Sequence, residues 1–264
     1  MPEKGENDKE EGLEQNRSIE KVTEGQATPL EEYEKEHDEA QEIEEPSFPS
    51  DEDPFLVHII HFENLVARFE PLVRSYAGLG DDVQKAFAAL KQEDYGTAVK
   101  ELNQMPKDEE KHSLIPLLSA IAQLKTGNVQ QASTDCDAAI ALNPLDPNAW
   151  ICKAAVDAAE HNHVNACDHL NKAVELAPND LGALISRGAC LIRVGHFEEA
   201  IRVLYRAQKI DHSNVWAWIN KGIAYAYTSR LKDALNCFNE ALLISPDNPD
   251  ARSAKQEMLR RLAH

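Results

Sequence analysis

The stretch HNHVNACDHL places His161, His163, Cys167 and His169 within nine residues. Imidazole and thiolate are the usual zinc ligands, and His163 and Cys167, four apart, share one face of a helix. His161 falls in a turn, however, and His169, two residues beyond Cys167, points elsewhere on the same helix. Ordinary turn and helix-surface histidines account for this pattern, and a metal-dependent enzyme is the remote alternative. His58 and His61, three apart, give a weaker form of the same signal. No nucleophile motif, phosphate-cradling glycine loop or paired carboxylate site accompanies them. The chain is therefore expected to be no enzyme and to need no cofactor or resident metal.

The cysteines, Cys136, Cys152, Cys167, Cys190 and Cys237, form no CxxC pair and all fall in helical patterns. Such usage fits small buried thiols in a reducing compartment, so a cytoplasmic location is expected. No signal peptide and no run of 18 or more uncharged apolar residues is found, so no membrane span is expected. The formal net charge is −19, and residues 1–53 hold 20 Asp and Glu against 5 Lys and Arg. That segment has too few large apolar residues to offset its ordering entropy and is read as a disordered acidic tail. Its field repels nucleic acid, although Arg202, Arg206 and Lys209 follow one helix face, which is expected to be solvated beside acidic neighbours.

The elements that must position all these residues repeat. ALNPLDPNAW (141–150) returns as ELAPNDLGAL (175–184), KIDHSNVWAW (209–218) and LISPDNPDAR (243–252). Four segments align without gaps: 113–146, 147–180, 181–214 and 215–248. Repeat position 20 is Ala132, Ala166, Ala200 and Ala234; position 27 is Ala139, Ala173, Ala207 and Ala241. Position 8 is Ala120, Ala154, Gly188 and Gly222. Small residues at fixed points let two helices approach closely. Pro144, Pro178 and Pro246 stop each second helix. Asp146, Asp180, Asn214 and Asn248 then supply preferred N-caps for the next one.

A 34-residue helix–turn–helix period with these small residues and a proline at position 32 resembles the tetratricopeptide repeat. Trp150 and Trp218 match its position 4, Tyr225 its position 11 and Phe238 its position 24. Residues 79–112 read as a degenerate fifth unit whose second helix is truncated by Met105-Pro106, and 249–264 as a terminal capping helix. Departures occur: Pro116 and Leu184 stand at position 4, and His212 replaces one proline. Position 7 is Ser119, Lys153, Arg187 and Lys221, whose long stems are expected to cover apolar surface with the charge in water. The resemblance implies an all-α, right-handed superhelical solenoid that does no chemistry and binds proteins on its concave face.

In that family, positions 2, 5, 9 and 12 line the concave face. Fourteen of the sixteen residues at these positions are apolar here, and only Asn148 and Gly182 are not. The expected partner-binding residues are Leu114, Leu117, Ile121, Leu124, Ile151, Ile185, Ile192, Trp216, Ile219 and Ile223. Apolar or alanine side chains at positions 5 and 9 also rule out the family's dicarboxylate clamp for chaperone tails. An apolar trough of this length needs a cover, unless superhelical curvature and neighbouring side chains already hide much of it.

A candidate cover lies in the chain itself. In residues 54–73, Phe55, Ile59, Phe62, Val66, Phe69 and Val73 form a helical apolar stripe, and Pro71 should kink or end that helix. Residues 54–78 are set apart as this amphipathic segment. It either extends the solenoid by packing on the degenerate unit or folds back into the groove, where an external peptide must displace it. The reading is an adaptor that holds a helical or extended segment of a partner protein. A co-chaperone or assembly factor shielding apolar client segments is the alternative, and self-association of the array stays open.

Overall fold

The computed structural model describes residues 62–75, 81–105 and 113–263. Among them stand twelve helices and no strand. In chain order they are α1 (Phe62–Ser75), α2 (Asp81–Lys91), α3 (Tyr95–Asn103), α4 (Leu114–Lys125), α5 (Val129–Leu142) and α6 (Pro147–Ala159). They continue as α7 (His163–Leu176), α8 (Leu181–Arg193), α9 (Phe197–Ile210), α10 (Val215–Tyr227), α11 (Leu231–Ile244) and α12 (Pro249–Leu262). The acidic segment 1–53 and the first part of the amphipathic stripe, 54–61, lie outside the described residues.

Each helix from α2 onward packs on its successor, and α4 also touches α6, α8 touches α10, and α10 touches α12. The result is a stack of hairpins in which neighbouring units share a continuous core. The caps work as their types suggest. Asp146 accepts from the amide of Asn148, Asp180 from Ala183, Asn214 from Trp216 and Ala217, and Asn248 from Ala251. Each satisfies an amide that the helix start leaves without a partner. Trp150 Nε1 donates to the carbonyl of Pro144 at 2.9 Å, and Trp218 Nε1 to that of His212 at 2.8 Å. The position-4 tryptophan thus staples the inter-unit turn, with histidine serving as well as proline because only its carbonyl is used.

Within each hairpin one residue adopts the left-handed conformation: Glu93, Gly127, His161, Gly195 and Ser229. They recur every 34 residues, and Glu93 puts the degenerate hairpin α2–α3 in the same register. The α3 helix ends at Asn103, before Met105 and Pro106. Pro71 neither ends nor shortens α1, which runs on to Ser75. Its missing N–H frees the carbonyl of Ala67, and both residues face solvent, where water can bond it.

The core sits between the paired helices. Ala132, Ala139, Ala166, Ala173, Ala200, Ala207, Ala234 and Ala241 are fully buried, and Leu118, Leu170, Leu184, Ile201, Leu204 and Phe238 fill the space around them. Each large side chain so buried contributes roughly 1.5–3 kcal/mol relative to exposure. Gly188 and Gly222 face the tightest approaches: a Cβ there would stand 2.5 Å from Leu204 and 2.7 Å from Phe238.

The position-7 charges do not reach into water as expected. Lys153 Nζ pairs with Asp137 at 2.6 Å and bonds Ser133, while Arg187 pairs with Glu199 at 2.6 Å. Lys221 is buried, donates to Gln208 Oε1 at 3.0 Å and lies over the rings of Tyr205, Trp218 and Tyr225. Ser119 donates to Asp135 at 2.6 Å. A polar row therefore stitches first helices to second helices, because the position faces a neighbouring helix rather than solvent. Arg206 likewise donates to the carbonyl of Pro178, not to an acidic side chain.

Candidate protein-binding face

Eight of the ten expected binding residues, Leu114, Leu117, Ile121, Ile151, Ile185, Ile192, Ile219 and Ile223, are at most 7% exposed. Leu124 and Trp216 are half-buried. In the folded chain these side chains are already out of water, hidden among their neighbours in the stack rather than left as an open apolar trough, so they offer a ligand little further apolar burial.

The two exceptions to the apolar pattern, Asn148 and Gly182, have a shared partner. Asn148 opens α6 and Gly182 opens α8, and the side chain of Arg68 from α1 lies against both. Arg68 Nε and Nη2 donate to Asn148 Oδ1 at 3.0 and 2.9 Å. Its Nη1 and Nη2 donate to Asp180 Oδ1 and Oδ2 at 2.7 and 2.6 Å. Four of the five guanidinium N–H groups are thereby used, in the planar fork that only arginine presents. A Cβ on residue 182 would stand 2.8 Å from Arg68 Nη1, so glycine leaves the room the fork needs.

Asp180 does two jobs at once: it caps α8 through the amide of Ala183 and receives Arg68. Burial works to raise its pKa. The Arg68 hydrogen bonds and charge, with the amides of Ala183 and Gly182, outweigh that and hold the carboxyl below its ordinary range. On α1 itself Phe69 and Val73 are buried, and the helix packs on α2, where Lys91 reaches Glu70 at 3.2 Å. Sequence reasoning missed Arg68 and Asp180 as functional candidates. A signal was present, since the only inner-face positions that break the apolar pattern are the two beside Arg68.

The histidine-rich stretch is dispersed by the fold. His161 takes the left-handed turn position, and its ring meets that of His163 edge-on at 6.1 Å. His163 Nε2 lies 3.3 Å from Arg193 Nη2, while His169 Nδ1 is 2.6 Å from Asp157 Oδ2. Cys167 is buried. Among the described residues no three His, Cys, Asp or Glu side chains are grouped to hold a metal ion. His58 and His61 lie outside the described residues. Among the described helices none is long and apolar enough to cross a membrane.

Residues 215–248, the α10–α11 hairpin, match the family profile described as tetratricopeptide repeat. Solved structures extend the likeness to as much as 74% of the chain. The fold is a tetratricopeptide-repeat solenoid. YrrB, described as a tetratricopeptide-repeat protein with an unusual peptide-binding site, is 19% identical, and the match covers 74% of this chain and all of that one at a TM-score of 0.55. TTC0263 of Thermus thermophilus, another such protein, is 18% identical over 68% of this chain and 98% of its own, at 0.58. A chain of the APC/C hetero-tetramer Cut9-Hcn1 is 14% identical, with coverage of 74% here and 40% there, at 0.62. No curated protein matches the sequence. In this tetratricopeptide-repeat solenoid α1 reaches the starts of α6 and α8 through Arg68.

Proposed function

We propose that the chain is a non-catalytic, cytoplasmic adaptor that holds a helical segment of a partner protein along the inner face of α4, α6, α8 and α10. Its own α1 guards that face. The carrying observation is the Arg68 fork on Asn148 and Asp180, which links residues 80 and 112 positions away in sequence. The peptide-binding site named for YrrB, a protein of like fold, supports the same reading. A tethered helix acts at an effective concentration on the order of mM, so a partner must bind well enough to displace it. The acidic segment 1–53 keeps the opened state soluble by charge repulsion.

The test compares the full-length chain with its Arg68→Ala variant as baits, with cross-linking to map each captured segment. The reading expects more partner on the variant and cross-links concentrated on α4, α6, α8 and α10. Equal capture with cross-links confined to the second helices places binding on another surface and overturns it.

A further inference from the structure

We infer that Asn148, Asp180 and Gly182 form an arginine socket, and that the partner is an amphipathic helix presenting an arginine where Arg68 now sits. This rests on the adaptor reading and names the chemistry its face selects.

The socket is built from groups that each meet a distinct part of a guanidinium. The carboxylate of Asp180 takes one fork edge through two bonds of 2.7 and 2.6 Å. Asn148 Oδ1 takes the adjoining edge, Nε and Nη2, at 3.0 and 2.9 Å. An ammonium offers three donors from one point and cannot span both edges. Gly182 supplies the space, since any Cβ there would crowd Nη1 at 2.8 Å. The side chains of Arg68 and Asp180 are only about a fifth exposed, at 21% and 20%, so the pair is sheltered from salt and water.

Removing arginine leaves Asp180 as a half-buried anion without its cation, a penalty that any helix lacking arginine must accept. Discrimination therefore comes from the unpaired carboxylate as much as from the bonds gained. The register follows from α1, which also packs on α2 and whose buried Phe69 and Val73 stand one and five positions after Arg68, so a helix that replaces it meets α2 as well as the socket. A matching partner helix carries an arginine with apolar residues at those same offsets.

The probe is a labelled synthetic peptide of residues 62–75, FENLVARFEPLVRS, and a second peptide with lysine at the position of Arg68. The receptor is the full-length Arg68→Ala chain, read by fluorescence anisotropy, with hydrogen exchange reporting whether its own 62–75 segment has been released. The arginine peptide should bind, the lysine peptide should bind at least about ten-fold more weakly, and adding Asp180→Asn should erase the difference. Asparagine keeps the α8 cap, so that loss reads charge and not unfolding. Equal binding of the two peptides overturns the socket and leaves the adaptor reading standing. Undiminished protection of 62–75 in Arg68→Ala also overturns the socket alone, because something else then holds the helix. Release without binding of either peptide overturns both.

Discussion

His161 and Gly195, thirty-four residues apart, share one left-handed backbone conformation, at φ of 59 and 81 degrees. Glycine enters that region freely, whereas a residue with a Cβ is strained there by roughly 1–2 kcal/mol. Part of any gain from glycine is returned through the entropy of the unfolded chain. His161→Gly is therefore expected to stabilise the array by about 0.5–1 kcal/mol, and Ser229→Gly should do the same. Urea unfolding measures this, and a lower midpoint for either variant would show that the side chain is worth more than the strain.

Gly222→Ala should act in the opposite direction. Helix propensity favours alanine by about 1 kcal/mol, yet the new Cβ would lie 2.7 Å from Phe238 Cε1. Phe238 is fully buried and has nowhere to retreat. Overpacking of this kind costs about 1–3 kcal/mol, so a net loss is expected. A second substitution, Phe238→Leu, should recover part of it. If Gly222→Ala alone raises the melting temperature, the close approach of α10 and α11 is looser than described.

The thiols should be inert in the folded chain. Desolvation is the leading cause that raises the pKa of both Cys152 and Cys237 to about 12. Burial lifts Cys136, and Cys190 is raised chiefly by its hydrogen bond with Cys167. At pH 8 almost no thiolate is then present to attack an alkylating reagent. Mass spectrometry after iodoacetamide treatment should find these four unlabelled under native conditions and labelled in denaturant. Native modification of Cys152 would contradict the packing of α6.

Acid should loosen the α1 contact. Asp180 has a folded pKa below its unfolded one, so its contribution is present above the ordinary carboxylate value. It is lost as pH falls through the depressed folded value, in a window beginning near pH 4. Between pH 6 and pH 3 the urea midpoint of the wild-type chain should fall further than that of Asp180→Asn. Parallel declines would mean that the Arg68 pair adds nothing to stability.

The solenoid could be read in the sequence because its rules are local. Asp146, Asp180, Asn214 and Asn248 cap the helices their types suggest, and the alanine columns at positions 20 and 27 are fully buried. The left-handed turn was half-visible: Gly127 and Gly195 advertise it, while Glu93, His161 and Ser229 conceal it behind ordinary side chains. Lys153, Arg187 and Lys221 read as solvent-facing, since a lone sequence does not show that a neighbouring hairpin offers Asp137, Glu199 or Gln208 to meet them. Arg68 was the least legible residue. Its partners lie 80 and 112 positions away, beyond the reach of any helical period, and only the breaks at Asn148 and Gly182 hinted at them.

The most direct test is a double-mutant cycle on the full-length chain, using Arg68→Ala, Asp180→Asn and the two combined, read by hydrogen exchange across residues 62–75. A charge-assisted pair is worth roughly 1.5–3 kcal/mol, so each single variant should raise exchange about ten- to hundred-fold. The combined variant should add little beyond either one, because the same interaction is removed twice. Exchange that is unchanged in the single variants, or that adds fully in the double, would contradict the claim that this pair holds α1 against the inner face.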